Sequence, residues 1–172
     1  MTLAPPLDSN IISSLKTGDR VLISGTLYTA RDQAHKKLVE LIAKGKKLPF
    51  DLNGQIIFYA GPTPRKKGSL VGSIGPTTAG RMDAFVEPLL QNGLKGMIGK
   101  GPRSQKVKEL LKKYQAVYFL ATGGVAALLG KCVKKSEMIA FPELGPEAIL
   151  RIEVENFPVI VASDSNGEDI FK

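Results

Sequence analysis

Apolar residues follow two different spacings along this chain. Short apolar or β-branched runs at 20–24, 56–60 and 116–121 predict buried strands. Elsewhere apolar residues recur every three or four positions, which predicts amphipathic helices. Those helices are expected over about 29–45, over 81–91 and from Ser104 onwards. Strands that alternate with helices predict an α/β fold, with a mostly parallel or mixed sheet in a single domain.

Turn-forming and capping residues predict where these elements begin and end. We expect Gly25 to end the first strand and Gly45 to end the first helix. Thr29 is expected to cap that helix, with Asp32 completing a capping box. The remaining predicted elements are a short apolar element at 96–99, strands at 68–75, 139–141, 148–154 and 159–162, and a turn at 122–124 leading into a small-residue helix at 125–129.

The length of 172 residues suits one domain with its own hydrophobic core. Residues 1–18 are expected to form an extended lead-in and residues 19–172 the domain itself. No apolar run approaches the roughly 20 residues that a membrane-spanning helix needs, and we expect no secretory signal and no membrane association. Cys132 is alone, which excludes an internal disulfide framework and favours a cytoplasmic location.

The formal net charge of +8 is compatible with nucleic acid, an acidic surface or anionic small molecules as partners. The basic residues form short clusters spread along the chain, which is typical of a solvated surface. The chain has no Trp and few aromatic residues, which argues against a base-stacking surface. With one Cys and one His (His35), the chain alone cannot build a zinc site or hold an iron–sulfur cluster.

The stretch from Gly75 to Asp83 carries the densest candidate chemistry. It combines two glycines, a proline, the hydroxyls of Thr77 and Thr78, the cation of Arg81 and a carboxylate. Its place before a predicted helix suits the binding of a small carboxylate or phosphate, because unpaired N–H groups and the positive end of the helix dipole lie there. The alternative is that Thr77 or Thr78 only caps the helix and Arg81 is solvated.

Three cations occupy strand-to-helix turns, where α/β folds bind their ligands. They are Arg31, Arg81 and Lys100, the last enclosed by Gly99 and Gly101. Small residues on both sides of Lys100 would let a ligand approach closely. Two guanidiniums, each able to grip a carboxylate through two hydrogen bonds, and one ammonium match a dicarboxylate.

Four motifs in a fixed order carry a resemblance to a known family. They are Ser24-Gly25-Thr26-x-Tyr28-x-x-Arg31-Asp32-x-x-His35, Tyr59-x-Gly61-Pro62, Gly75-Pro76-Thr77-Thr78-x-x-Arg81-Met82-Asp83 and Met97-Ile98-Gly99-Lys100-Gly101. Together they resemble the β subunit, or C-terminal domain, of the iron–sulfur-dependent class I fumarases and the related L(+)-tartrate dehydratases. The resemblance runs from about Asp19 to the end of the chain.

The resemblance implies a swivelling β/β/α fold and a role as half of a hydro-lyase. In the family, a separate α chain or N-terminal domain holds a [4Fe-4S] cluster through three Cys, and its open iron acts as a Lewis acid on the substrate hydroxyl. This chain would close over the substrate, within an α2β2 assembly or as a homodimer of β chains. The implied reaction is the reversible addition of water to fumarate to give L-malate. Dehydration of L(+)-tartrate is the alternative, and this chain does not separate the two.

Carried over residue by residue, the family's carboxylate-binding positions match Arg31, Arg81 and Lys100. Thr77 matches the threonine that takes the C3 proton of malate, and the neighbouring Thr78 competes for that role. His35 lies one helical turn beyond Arg31, where it would either orient Arg31 or serve as a surface or packing residue. No residue of this chain is expected to bind a metal.

A nucleic-acid-binding module is the alternative from another class. Gly99 to Pro102, followed by a basic helix, partly matches the GXXG loop of a KH domain. Pro102 stands where that loop requires its second glycine, and the surrounding elements are too long. A phosphate-binding loop is also disfavoured, because Gly75 to Arg81 lacks the Gly-x-x-x-x-Gly-Lys-Ser/Thr order.

Overall fold

The computed structural model describes residues 1–121 and 126–172. The strands are β1 (Thr2–Leu3), β2 (Arg20–Thr29), β3 (Ile56–Phe58), β4 (Gly96–Gly99), β5 (Val117–Leu120), β6 (Val133–Ala140) and β7 (Ile149–Ser163). The α-helices are α1 (Ser9–Ser14), α2 (Asp32–Ala43), α3 (Val86–Gln91), α4 (Gln105–Tyr114) and α5 (Ala126–Lys131). Two 3-10 helices cover Ala79–Phe85 and Pro142–Glu147.

Five strands close into a barrel. Strands β2, β3, β4 and β5 are parallel neighbours in that order, and β7 runs antiparallel between β5 and β2. β1 pairs with β2 and β6 pairs with β7 outside the closed ring. The prediction of a single α/β domain with a mixed sheet is therefore confirmed. Because the four parallel strands point the same way, the segments that follow them emerge at one edge, here called the carboxyl edge.

Strands β3, β4 and β5 are buried on both faces, so they carry continuous apolar runs. Ile56 and Phe58 of β3 point into the core inside the barrel, whereas Ile57 and the following Tyr59 belong to a second core under the helices. Helix α4 contributes the predicted apolar face to this second core, and its N-cap is Ser104, whose Oγ accepts a hydrogen bond from the amide of Val107. The prediction for this helix is confirmed.

Two boundary predictions around the first turn are wrong. β2 continues past Gly25 to Thr29, because Gly25 sits at a register shift with φ +137°, a conformation that glycine adopts easily. Thr29 is buried in the strand, and its Oγ1 accepts a hydrogen bond from the amide of Leu150. It therefore caps no helix, and the N-cap of α2 is Arg31, which makes no side-chain capping bond. Gly45, with φ +63°, does follow the end of this helix as predicted.

Pairing between strands distant in sequence changes several of the predicted strands. Residues 68–75 form no strand: β3 already has β2 and β4 as neighbours, and this segment instead loops back so that Ser73 bonds Thr63. The two strands predicted at 148–154 and 159–162 are one strand, β7, which bends at Asn156 with φ +52°. β6 also begins earlier than predicted, since it is paired with β7 from Val133 onwards.

The lead-in of residues 1–18 is not extended throughout. Residues 9–14 form α1, because Asp8 accepts a capping hydrogen bond from the amide of Ile11 and Ile12 is buried. The turn predicted at 122–124 lies outside the described residues, and the described part of the small-residue helix begins at Ala126. In the described ranges, no helix is both long and apolar enough to cross a membrane.

Candidate functional site at the carboxyl edge

Thr77 and Lys100 are held side by side by the backbone. The segment after Pro76 enters the gap between the ends of β3 and β4, where the amide of Thr77 donates to the carbonyl of Tyr59 at 2.6 Å. The amide of Lys100 then donates to the carbonyl of Thr77 at 3.1 Å, and the amide of Ala79 to the carbonyl of Lys100 at 2.9 Å. Thr77 is half-buried, whereas Thr78 and Lys100 are exposed.

Gly99 makes this insertion sterically possible. A Cβ at position 99 would lie 3.0 Å from the Cβ of Ala79, 3.0 Å from the ring of Tyr59 and 3.2 Å from the carbonyl oxygen of Thr77. The expectation that this glycine admits a ligand therefore needs correction, because the space is taken by the Thr77 segment. Gly101, on the other side of Lys100, has open space beside it.

Arg31 lies between the end of β2 and α2, packed over the backbone of Gly61. A Cβ at position 61 would lie 2.9 Å from the Arg31 Cδ and 3.2 Å from its Nη1. This glycine therefore lets the long arginine side chain lie close to the main chain. The Nε of Arg31 is buried and has no hydrogen-bond partner among the described residues. A buried, unpaired guanidinium N–H is costly, so an anion here would satisfy it.

His35 is fully buried behind Arg31. Its Nδ1 lies 2.8 Å from the carbonyl oxygen of Arg31, so Nδ1 carries the proton and donates. Burial lowers the pKa of His35 to about 4, and the imidazole is neutral at pH 7. Its ring packs edge-on against Tyr59 with a centroid distance of 5.2 Å. His35 thus holds the backbone of Arg31, and the surface role considered for it is wrong.

Arg81 forms an ion pair with Asp32, the residue that follows Arg31. Its Nε and Nη2 each lie 3.0 Å from Oδ2 of Asp32, the first residue of α2. The side chain of Arg81 is still 52% exposed. Thr78 occupies the N-cap position of the 3-10 helix but makes no side-chain capping bond. Of the alternative to a binding site, the capping hydrogen bond is therefore absent at Thr78, while Arg81 is exposed as that alternative expected and is also paired with Asp32.

The sequence analysis missed Arg103, the most enclosed cation of the edge. Its side chain has 0% exposure, and its Nε donates to Oδ1 of Asp83 at 2.7 Å. The guanidinium carbon lies 5.3 Å from the ring centroid of Tyr59 and 4.9 Å from that of Tyr118. Burial raises the pKa of both tyrosines, which stay neutral phenols. The sequence does hold one signal for this pair. Asp83 is the last residue of one motif and Arg103 lies two residues after the end of another, so opposite charges accompany both motifs.

One hollow of the molecule is an alternative candidate site. It has a volume of about 610 Å³ and lies on the face formed by β2, β6 and β7. Within it, Arg151 donates to Glu137 at 2.6 Å and the hydroxyl of Thr26 donates to Glu153 at 2.6 Å. None of Arg31, Thr77, Arg81 and Lys100 lines it, so the carboxyl edge remains the candidate site.

The side chains present do not fit a metal cluster. Among the described residues, no group of three or more His, Cys, Asp or Glu side chains is arranged to hold a metal ion. Cys132 is half-buried, and burial raises the pKa of its thiol, which disfavours the thiolate that metals bind. Any iron–sulfur cluster at this site must therefore come from outside the described part of this chain.

Arg31, Arg81, Lys100 and Thr77 thus lie at the carboxyl edge of an α/β barrel domain, and comparison with known proteins gives its family. The chain belongs to the family described as "Fumarase C-terminus", whose model matches residues 2–172. The match includes β1 and α1, which lie before the motifs that carry the resemblance. The recognition made from the four motifs is confirmed.

Of three relatives, the chain spans two over most of their length and the third only in part. "Putative L(+)-tartrate dehydratase subunit beta" of Methanocaldococcus jannaschii is 42% identical over 94% of this chain and 86% of its own length. "L(+)-tartrate dehydratase subunit beta" of Escherichia coli K12 is 35% identical over 98% of this chain and 85% of its own. "Fumarate hydratase class I, anaerobic" of the same strain is 44% identical over 94% of this chain. The chain spans only 30% of that last protein.

Proposed function

We propose that this chain is the β subunit of a hydro-lyase that reversibly adds water to fumarate to give L-malate. A partner α subunit would carry the [4Fe-4S] cluster and bind the substrate's hydroxyl end. The observation that carries the proposal is the convergence of Arg31, Arg81, Lys100 and Thr77 at one edge. Asp32 links the first two, and backbone hydrogen bonds link the last two.

The cations would bind the two carboxylates of the substrate. Arg31 has a buried Nε that lacks a partner among the described residues, and a carboxylate oxygen would supply one. Arg81 and Lys100 are exposed at the same edge and can reach a ligand held by another subunit. Each guanidinium offers a planar pair of donors, and Lys100 adds a point charge.

Thr77 would accept the C3 proton of malate. A free hydroxyl is a weak base at neutral pH, so the alkoxide needs nearby positive charge. Lys100 adjoins Thr77 through the backbone, and Arg81 follows four residues later. Partial burial favours Thr77 over the exposed Thr78 for this role, because cations act more strongly where water is excluded.

The assembly would bring this chain and the α subunit together around the substrate. A domain of the swivelling β/β/α type would close its carboxyl edge over substrate bound in the α subunit, within an α2β2 assembly or a homodimer of β chains. The names of two relatives, each a subunit beta spanned for at least 85% of its length, support a separate partner.

Dehydration of L(+)-tartrate is the second candidate. The two tartrate dehydratase subunits named above are spanned over 86% and 85% of their length, whereas the chain spans only 30% of the anaerobic fumarate hydratase. Identity alone does not decide, since the fumarate hydratase is the more identical of the two E. coli proteins. Tartrate differs from malate by one hydroxyl, and the same cations would bind both.

The test is anaerobic reconstitution of this chain with a cluster-carrying α subunit, followed by assays with fumarate, L-malate and L(+)-tartrate. We expect turnover by the complex and none by either subunit alone. The ratio of kcat/KM for malate and tartrate then assigns the substrate. Turnover by this chain alone would contradict the two-subunit proposal, and an inactive complex with an intact cluster would contradict the hydro-lyase assignment.

A further inference from the structure

Asp32 contacts Arg81 in a way that leaves part of the guanidinium available. A guanidinium has two edges that can each pair with a carboxylate: the side edge of Nε and Nη2, and the end edge of Nη1 and Nη2. Asp32 occupies the side edge, with Oδ2 at 3.0 Å from both Nε and Nη2. The end edge of this half-exposed arginine is thereby directed away from Asp32.

The carboxylate of Asp32 is itself partly enclosed. It is the first residue of α2, where the helix dipole favours a carboxylate, and its side chain is only 24% exposed. Its Oδ1 is buried and has no hydrogen-bond partner in the described part of the chain. The carboxylate therefore lies beside the start of the helix and offers one oxygen, Oδ2, to Arg81.

We infer that Asp32 is a positioning residue, which holds the side edge of Arg81 so that its end edge binds a substrate carboxylate. The inference rests on the proposed function for the substrate and on the observed contact for the geometry. Half-exposed ion pairs contribute little to stability, so the value of this contact lies in orientation. An arginine oriented before the ligand arrives loses less conformational entropy on binding.

A double-mutant cycle in the reconstituted complex tests the role. Asp32→Asn is expected to raise KM for malate about tenfold while kcat changes less than about threefold, because Arg81 binds the carboxylate in ground and transition states alike. In an Arg81→Ala background, Asp32→Asn should have no further effect. The melting temperature should change by less than about 3 °C. The matched control is Glu137→Gln, which removes the carboxylate partner of Arg151, another half-exposed ion pair that shares no residue with the Asp32–Arg81 pair.

Two results would overturn the inference. If Asp32→Asn and Arg81→Ala lower kcat/KM independently, Asp32 does not act through Arg81. If Asp32→Asn lowers KM, the carboxylate only weakens the positive potential of the edge. Wild-type kinetics for Asp32→Asn would also exclude the role.

An NMR measurement on this chain alone separates this inference from the proposed function. The Nε–H resonance of Arg81 should show slow exchange with water in the wild type and in Glu137→Gln, and fast exchange in Asp32→Asn. If the contact is present but the wild-type complex turns over neither dicarboxylate, the proposed function fails while the contact stands. If exchange is equally fast in all three proteins, the contact does not exist in solution and the inference fails.

Discussion

The carboxylate of Asp83 and the guanidinium of Arg103 form an ion pair with the arginine wholly buried, Oδ1 and Nε lying 2.7 Å apart. Asp83 belongs to the 3-10 helix that follows Thr77, and Arg103 follows Lys100 by three residues. The second oxygen of Asp83 accepts from the amide of Ser104, the N-cap of α4, at 2.8 Å. One pair therefore joins the two segments that carry three of the predicted site residues.

We expect Asp83→Ala to destabilise the protein strongly. It would leave the buried guanidinium of Arg103 without its carboxylate, at a cost of about 3–5 kcal/mol of unfolding free energy. Urea unfolding of the isolated chain measures this difference. Glu87→Ala is the control, because its carboxylate lies 3.7 and 3.9 Å from two exposed lysines and should contribute less than about 1 kcal/mol. Equal stabilities for the two variants would show that the Asp83–Arg103 pair does not anchor the edge.

Arg31→Ala should impair catalysis without unfolding the domain. Loss of a charge-assisted contact to a substrate carboxylate costs on the order of 2–5 kcal/mol in binding, partly because the carboxylate is left unpaired. Steady-state kinetics of the reconstituted complex should show the corresponding loss in kcat/KM. Arg20→Ala, at the opposite end of β2 and exposed, is the matched control and should behave as wild type. Identical kinetics for both variants would place Arg31 outside the binding site.

Thr77→Val tests the proposed proton acceptor. It keeps the shape of the side chain but removes the hydroxyl, so kcat should fall by roughly 10² or more, as for a lost general base. KM should change little, since Arg31, Arg81 and Lys100 remain. Solvent-hydrogen exchange at C3 of malate gives a second measurement. Thr78→Val is the paired control and should retain turnover; a large loss there, with normal exchange in Thr77→Val, would move the assignment by one residue.

The burial of His35 predicts a pH dependence of stability. Its folded-state pKa of about 4 lies below the unfolded value of 6.5, so the unfolded state binds the proton more tightly. The stabilisation is complete above pH 6.5 and is lost as the pH falls towards 4, by about 2 kcal/mol between pH 7 and pH 5. His35→Asn retains a donor for the carbonyl of Arg31 but does not titrate there. We expect a shallower decline for this variant in urea unfolding at pH 7, 6 and 5; parallel curves would show that His35 is not the group responsible.

Patterns that depend on neighbouring residues were predicted well from the sequence. Ser104 caps α4, the helix after β2 ends next to Gly45, and both faces of β3 are apolar because both are buried. The four motifs also sufficed to recognise the family. The helix ends and the burial of β3 are decided within a few residues, by hydrogen bonds of a helical turn or by the period of burial.

Closure of the barrel decided what the sequence alone did not determine. The residues next to Thr29 predict that it caps a helix, but pairing of β2 with β7 keeps it in the strand. Residues distant in sequence, such as Asp32 with Arg81 and Asp83 with Arg103, become partners only when the carboxyl ends of the parallel strands meet. The physical reason is that strands and helices far apart along the chain bring these side chains together, and only their packing encloses a pair such as Asp83 with Arg103.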